Sequence, residues 1–254
     1  MRRVGAYVAS YGARASVVVA TERYTQQTTG NTSSPHARRV IAAEFAIVKV
    51  DTITGWIGFR DVIEVDGQAL PDRENRLIRS LTGGDAGYDE ARRLSDESAR
   101  FNIGTIERNF NVPTTTLFYF APQNHGRFKF AGLDVSADGT WRIGWRETEK
   151  PTLIRTPEGT SVPSEGELWV RPADGTIVRV LLRNQLFGDR RHQLQHMNGQ
   201  VDVTYKYVEP LGMWLPDRMI EDFEIRGPNG AWERTEGEAV YSNYRQFTTS
   251  VRVR

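Results

Sequence analysis

The sequence predicts an α+β protein in which a strongly curved antiparallel sheet, a half-barrel, has helices covering its concave face. Residues 71–121 carry apolar side chains at helical spacing, whereas residues 126–252 alternate with period two and are divided by turn residues. One face of the predicted sheet is polar and faces solvent. The other face is apolar and must be buried, and only the predicted helices can pack against it. No linker divides the chain, so we predict one domain over residues 1–254.

The helices are predicted in order along the chain. A short N-terminal amphipathic helix is indicated by Val4, Tyr7, Val8, Tyr11 and Ala15. Two more helices after Pro71 are indicated by Leu77, Ile78 and Leu81, and then by Tyr88, Ala91, Leu94 and Phe101. The second of these is expected to stop near Gly104, and a further short helix is possible over residues 114–120.

The strands are predicted before and after this helical region. Three precede it, within residues 17–29, 38–50 and 55–67. The later ones include QVDVTYKYV, in which Val201, Val203, Tyr205 and Tyr207 are expected to share one face.

The tetrapeptide Ala-Asp-Gly-Thr occurs twice, at residues 137–140 and 173–176. The first copy begins like a calcium loop, with Asp134, Ser136 and Asp138 in ligand positions, but Trp145 stands where the bidentate glutamate belongs. Because Asp-Gly supplies the positive φ angles of tight hairpins, we predict a strand reversal at each copy and no calcium.

Composition restricts the classes of function. The 33 basic and 32 acidic residues give a net charge of +1, which provides no broad field for nucleic acid or anionic lipid. Without cysteine, thiol catalysis, thiolate metal sites and disulfides are excluded. No apolar run is long enough for a membrane span, and the N-terminal residues are too polar for a secretory leader. We expect a soluble chain from which any leader has been removed.

Signatures of enzymes are missing from the sequence. The nucleophile elbow, the metalloprotease motif, the phosphate loop and the dinucleotide pattern are absent. His192 and His196 would lie about 13 Å apart on a strand, so we expect a solvated basic loop over residues 188–199 and no metal. Glu221 and Glu224 point to opposite faces of a strand, which favours surface charge over a catalytic carboxylate pair.

Three C-terminal stretches carry a resemblance to a known family: GELWVRPADGTIVRV, VDVTYKYVEPLGMWLPDRMIEDFE and AVYSNYRQF. Together they resemble the C-terminal half of the LolA/LolB-like superfamily of bacterial envelope proteins. The N-terminal part looks more like an uncharacterised group of secreted bacterial proteins. The resemblance implies a half-barrel closed by helices, an apolar cavity for acyl chains of lipids or lipoproteins, and no enzymatic activity. It also implies a periplasmic or extracellular location, without the lipid anchor of the LolB branch, since no cysteine is present.

The candidate ligand-binding residues lie on strand faces predicted to point inward. They are Phe59, Asp61, Trp141, Ile143, Trp145, Leu168, Val170, Val203, Tyr205 and Tyr207. The aromatic members could line a lipid cavity or could be ordinary core, and only the volume left between sheet and helices separates these interpretations.

Asp61 stands out because it shares the predicted face of Ile57, Phe59, Ile63 and Val65, where a bare carboxylate is costly. It is therefore either paired in a structural salt bridge, for instance with Arg23 or Arg39, or turned outward by a bulge, or a polar anchor inside the cavity.

Two functions follow as hypotheses. The first is a non-enzymatic envelope or secreted protein that binds a lipid or acyl chain, without cofactor, metal or nucleic-acid partner. The second is a structural or interaction protein of the same fold that self-associates through strand edges, with the closing residues 247–254 as an edge strand or as an arm that adds to a neighbour.

Overall fold

The structure is a computed structural model. It describes residues 1–15, 18–31, 36–50, 55–73, 76–77, 85–105, 108, 112–156, 159–189, 194–227 and 230–246. The predicted positions Ile78, Leu81 and His192 and the C-terminal arm lie outside the described residues, as do the side chains of Ile57, Tyr88 and Ala91.

The helices lie close to where the sequence predicts them. Among the described residues they are α1 (Arg2–Arg14), α2 (Asp85–Ala99), α3 (Thr115–Phe118) and two 3₁₀ helices, Pro122–Arg127 and Glu209–Leu211, and residues 76–77 are helical as well. Val4, Val8, Tyr11 and Ala15 are buried, as the helical spacing predicts. Helix α2 ends five residues before Gly104, which has a φ of +91°.

The described strands are numbered in chain order. They are β1 (Val18–Gly30), β2 (Arg38–Val50), β3 (Gly55–Val65), β4 (Gln68–Ala69), β5 (Phe128–Val135), β6 (Trp141–Glu147), β7 (Ile154–Arg155), β8 (Ser161–Val162), β9 (Ser164–Val170), β10 (Ile177–Asp189), β11 (Leu194–Val208), β12 (Met213–Arg226) and β13 (Trp232–Gln246). Strands β7 and β8 pair with each other, and the rest form one antiparallel sheet in the order β4-β3-β2-β1-β13-β12-β11-β10-β9-β6-β5. The predicted fold class is confirmed: a large curved antiparallel sheet with few helices, which is not a closed barrel.

The concave face of the sheet forms the main core. Helix α1, α3 and the segment that follows α3 pack there against residues from strands at both ends of the sheet. Helix α1 also contacts β2, β3 and the first 3₁₀ helix. Helix α2 packs along β3, close to one edge of the sheet.

A bulge in β3 changes the face on which its residues lie. The register pairs Ala42 with Glu64 but Ala43 with Val62, which leaves Ile63 as the extra residue. Val62 before the bulge and Val65 after it therefore both pack against the main core, whereas Phe59 does not. The Val62 N–H donates to Ser98 Oγ of α2 at 3.0 Å. The prediction that Phe59, Ile63 and Val65 share one face was therefore wrong, because a period-two pattern in the sequence cannot reveal an inserted residue.

Both Ala-Asp-Gly-Thr turns are strand reversals, as predicted. Each aspartate accepts a hydrogen bond from the N–H two residues on, at 3.0 Å for Asp138 with Thr140 and 2.9 Å for Asp174 with Thr176. The two copies differ in their surroundings. A Cβ at Gly175 would lie 2.4 Å from the backbone carbon of Arg3, so this turn must be glycine for φ (+78°) and for contact with α1.

The basic stretch over residues 188–199 is only partly a loop. Strand β10 continues to Asp189 and β11 begins at Leu194, so the stretch mostly extends a long hairpin. The prediction of a solvated loop was wrong over residues 194–199, because cross-strand pairing continues there.

Candidate functional site

Five of the predicted ligand-binding residues meet on the concave face and are buried there. They are Trp145, Leu168, Val170, Val203 and Tyr205. The Trp145 ring is packed against Tyr119, Phe120 and Phe128, with ring centroids 5.4, 5.4 and 5.6 Å apart. The structure thus places these residues in filled core.

Tyr205 is also held by hydrogen bonds within this core. Its hydroxyl donates to the carbonyl of Pro113 at 3.0 Å and lies 3.0 Å from Thr116 Oγ1. Burial raises the pKa of Tyr205, and Thr116 opposes that rise. The residue therefore fixes the segment before α3 to the sheet.

Three predicted residues lie at the margin of the core. Ile143 is half-buried, whereas Trp141 and Tyr207 are 50% and 52% exposed. Tyr207 lines an open cleft of about 420 Å³ between α1 and the β9–β10 and β11–β12 connections, together with Tyr7, Tyr11, Arg14, Arg171, Met213 and Trp214. Arg14 Nη2 donates to the Gly212 carbonyl across it, which ties α1 to the end of the sheet.

The last two predicted residues, Phe59 and Asp61, lie on the opposite face of the sheet. Arg60 points to the concave side, so its neighbours point away from it. Asp61 is fully buried and accepts hydrogen bonds from Arg76, with Nη2 at 2.6 Å, and from Arg73 Nη1 at 3.4 Å. Burial raises the pKa of Asp61, and the hydrogen bond from Arg76 opposes that rise.

Asp61 is therefore in a structural ion-pair cluster that joins β3 to the segment before α2. Its partners are Arg73 and Arg76, and the suggestion of Arg23 or Arg39 was wrong. Arg39 instead lies 3.7 Å from Asp66. The structure does not bring Phe59 or Asp61 together with Val203 and Tyr205.

A band of buried polar side chains crosses the concave face on β1, β3, β12 and β13. Arg60 forms a bidentate ion pair with Glu22, with Nη2 and Oε1 2.6 Å apart, and the Tyr241 hydroxyl donates to the same Oε1 at 2.6 Å. Next to this trio, the Tyr24 hydroxyl donates to Glu221 Oε2.

Glu221 is only 1% exposed, so its assignment to the surface was wrong. Glu224 does lie on the other face, where it pairs with Arg226. The signal for a buried Glu221 was present in the sequence: Met219, Phe223 and Ile225 recur with period two and place Glu221 among them.

Beyond the polar band, the concave face continues as a row of half-buried apolar side chains on β11 and β12. We call Met197, Val201, Phe223 and Ile225 the open lane. Met197 pairs with Ile225 and Val201 with Glu221 in the same register that pairs Val203 with Met219, so all of them share one face. Met197 and Val201 are four residues apart, which makes the lane about 13 Å long.

Arg108 lies beside the open lane and was not singled out from the sequence. Its guanidinium carbon is 5.9 Å from the centre of the Phe223 ring, and Nη2 donates to Gln26 Oε1 at 2.6 Å and to the Ile103 carbonyl at 2.9 Å. The sequence offered no local pattern for it, because only the path of the chain after α2 brings it to the sheet.

No group of three or more potential metal ligands is present among the described residues. None of the described helices is both long enough and apolar enough to cross a membrane. His196 lies on β11 opposite Phe187, and its predicted companion His192 is outside the described residues.

No family model matches this chain, and no curated protein matches it. Solved structures do match. An outer membrane lipoprotein-sorting protein domain from Vibrio parahaemolyticus is 11% identical, with a TM-score of 0.39 over 98% of this chain and 94% of that one. A LolA superfamily protein from Nitrosomonas europaea is 10% identical, with a TM-score of 0.40 over 99% and 98%. A DUF1329 family protein from Desulfovibrio piger is 9% identical, with a TM-score of 0.36 over 98% and 93%.

This chain is similar in fold to LolA-superfamily proteins. The superfamily is the one that the sequence resemblance names. At these TM-scores and identities the likeness says nothing about ligand or mechanism.

Proposed function

We propose that this protein binds an apolar ligand, a lipid or an acyl chain, along the open lane and carries out no chemistry on it. The observation that supports the proposal is a contrast between Val203, which is fully buried, and Val201, which lies two residues away on the same face and is half-buried. The core is therefore filled at Val203 but leaves part of the apolar surface of Val201 exposed.

The partly exposed side chains of the open lane are apolar and contiguous. Val201 and Phe223 flank Glu221 across the β11–β12 pair, and Met197 and Ile225 are direct cross-strand neighbours. Apolar surface inside a concavity, with a few polar groups at one end, is the usual lining of a lipid or small-molecule site. In this proposal, five of the predicted ligand-binding residues do not contact the ligand and form the packed core next to the open lane. They are Trp145, Leu168, Val170, Val203 and Tyr205.

As an envelope or secreted carrier, the protein needs neither metal nor cofactor. Self-association through strand edges remains the alternative prediction. Among the described strands, the edges of the sheet are β4, with two residues, and β5, on which Leu133 and Val135 are 48% and 63% exposed.

Two tryptophan substitutions on the same strand face test the proposal. Val201→Trp should fill the open lane and weaken binding at least about tenfold, or ~1.4 kcal/mol, with little change in stability. Val203→Trp should overpack the core and cost about 1–3 kcal/mol of folding free energy. The probe is the methyl ester of a dansyl-labelled fatty acid, whose uncharged end keeps head-group chemistry out of the titration.

Denaturant unfolding of both variants accompanies the titrations. A parent protein that does not bind the ester would rule out the lane as a lipid site. So would a Val201→Trp variant that binds as well as the parent.

A further inference from the structure

Two buried polar groups beside the open lane have unused hydrogen-bonding capacity. Arg108 is 5% exposed, and its Nε and Nη1 have no hydrogen-bond partner among the described residues. Glu221 is 1% exposed, and its Oε1 has no partner there either. Leaving a buried donor or acceptor unpaired costs about 1–3 kcal/mol, and more when the group is charged.

The two groups flank the same short stretch of β13. Gly237 pairs with Glu221 on one side and with Gln26, the acceptor of Arg108, on the other. A Cβ at Gly237 would lie 2.8 Å from the Tyr24 hydroxyl and 3.1 Å from Glu221 Oε2, so the glycine allows these two side chains to meet over β13. The strands that carry Gln26 and Glu221 are separated by β13 and are therefore about 10 Å apart. Arg108 reaches across this gap to the ring of Phe223, two residues from Glu221 on β12, so one small polar moiety between the two groups can contact both.

Their charges decide what that moiety is. Arg108 offers N–H donors and Glu221 offers an acceptor oxygen, so a complementary group must both accept and donate. A carboxylate or phosphate would satisfy Arg108 but would place a second negative charge near Glu221. An ester without a hydroxyl could accept from Arg108 and would leave Glu221 unpaired.

We propose that the end of the open lane at Arg108 and Glu221 selects a neutral, hydroxyl-bearing head group, so that the ligand class is an uncharged amphiphile such as a monoacylglycerol. This inference rests on the proposed lipid function and names the head group that the same site takes. The acyl chain lies over Phe223, Val201 and Met197, and one hydroxyl accepts from Arg108 and donates to Glu221 Oε1.

Three ligands that differ only at the head group test the inference in competition with the dansyl ester: monooleoylglycerol, oleate and methyl oleate. The parent protein should bind the glyceride at least about tenfold tighter than either of the others. Glu221→Gln keeps an acceptor for Tyr24 but removes the negative charge, so the affinity for oleate should rise at least about tenfold relative to the glyceride.

Two further variants complete the test. Arg108→Met removes the donor that both the glyceride and the methyl ester accept from, so it should weaken the binding of both and leave the preference that Glu221 provides. Glu233→Gln is the matched control, because Glu233 is a buried carboxylate on the same face whose Oε1 already accepts from Thr105 N and Oγ1, at 2.7 and 3.0 Å. It should leave the ranking unchanged.

The outcomes separate this inference from the proposed function. Equal binding of glyceride and methyl ester would overturn the head-group assignment and would leave an internal water as the partner of Arg108 and Glu221. The proposal that the open lane binds an acyl chain would not be affected. If the parent protein bound oleate most tightly of the three, Arg108 would instead mark a site for an anionic head group, and the proposed neutral head group would be wrong. Failure of all three ligands and the dansyl ester to bind would overturn both. If a variant does not fold, the ranking by the parent protein decides alone.

Discussion

Replacing Glu22 with alanine is expected to cost about 3–5 kcal/mol of folding free energy, because it leaves the buried Arg60 guanidinium without its carboxylate. The side chains of Glu22 and Arg60 are 0% and 5% exposed, so water cannot take over the lost contacts. The Tyr241 hydroxyl would lose its acceptor as well. Urea unfolding of the variant and the parent measures the difference, with an unchanged m-value as the sign that only stability was altered.

Two controls make the result specific. Glu238→Ala removes an exposed partner of Arg218 on the same sheet and should cost under about 1 kcal/mol. The double replacement of Glu22 by Leu and Arg60 by Met should recover most of the loss, since well-packed apolar residues often substitute for a buried ion pair without penalty. If the double variant were as unstable as Glu22→Ala, the unpaired charge of Arg60 would not be the cause of the loss in stability.

Alkaline solution is expected to unfold the protein cooperatively, starting near pH 10. Burial raises the pKa of seven tyrosines: Tyr7, Tyr11, Tyr24, Tyr119, Tyr205, Tyr241 and Tyr244. In the unfolded chain these groups ionise near their ordinary pKa of about 10. Above that pH the folded state therefore binds more protons than the unfolded state. Their stabilising contribution is complete below that pH and is lost as the pH rises toward the folded-state pKa values.

The size of this effect follows from the number of groups. Each such tyrosine lowers the free energy of unfolding by up to about 1.4 kcal/mol per pH unit. Seven of them lower it by up to about 10 kcal/mol per pH unit, which is comparable with the whole stability of a typical domain. Tyrosinate absorbance and circular dichroism should therefore change together in one transition, and Tyr24→Phe should make its pH dependence shallower. Ionisation of these tyrosines at a pH where the circular dichroism is still native would contradict the prediction.

Much of the local structure could be predicted from short-range patterns. The helical spacing of Val4, Val8 and Tyr11 predicts α1, and the two Ala-Asp-Gly-Thr copies predict their reversals because the turn depends on the residues that form it. The alternation in QVDVTYKYV places Val201 and Val203 on one face correctly. These features depend on residues within a few positions of each other, so a single sequence contains them.

The candidate site depended on contacts between distant parts of the chain. Tyr24 and Glu221 are 197 residues apart, and Arg108 reaches Gln26 from 82 residues away, so no local pattern could show that they meet. Asp61 lies on the face opposite to the main core, which the alternation of β3 alone could not show, although the sequence indicated correctly that a buried carboxylate there needs a partner. The sequence by itself thus determined which segments are helices, strands and turns and which residues alternate. Only the tertiary structure decided which face is covered, which charges are paired and where the open lane lies, because burial and pairing depend on the segments that pack across a strand rather than on its own residues.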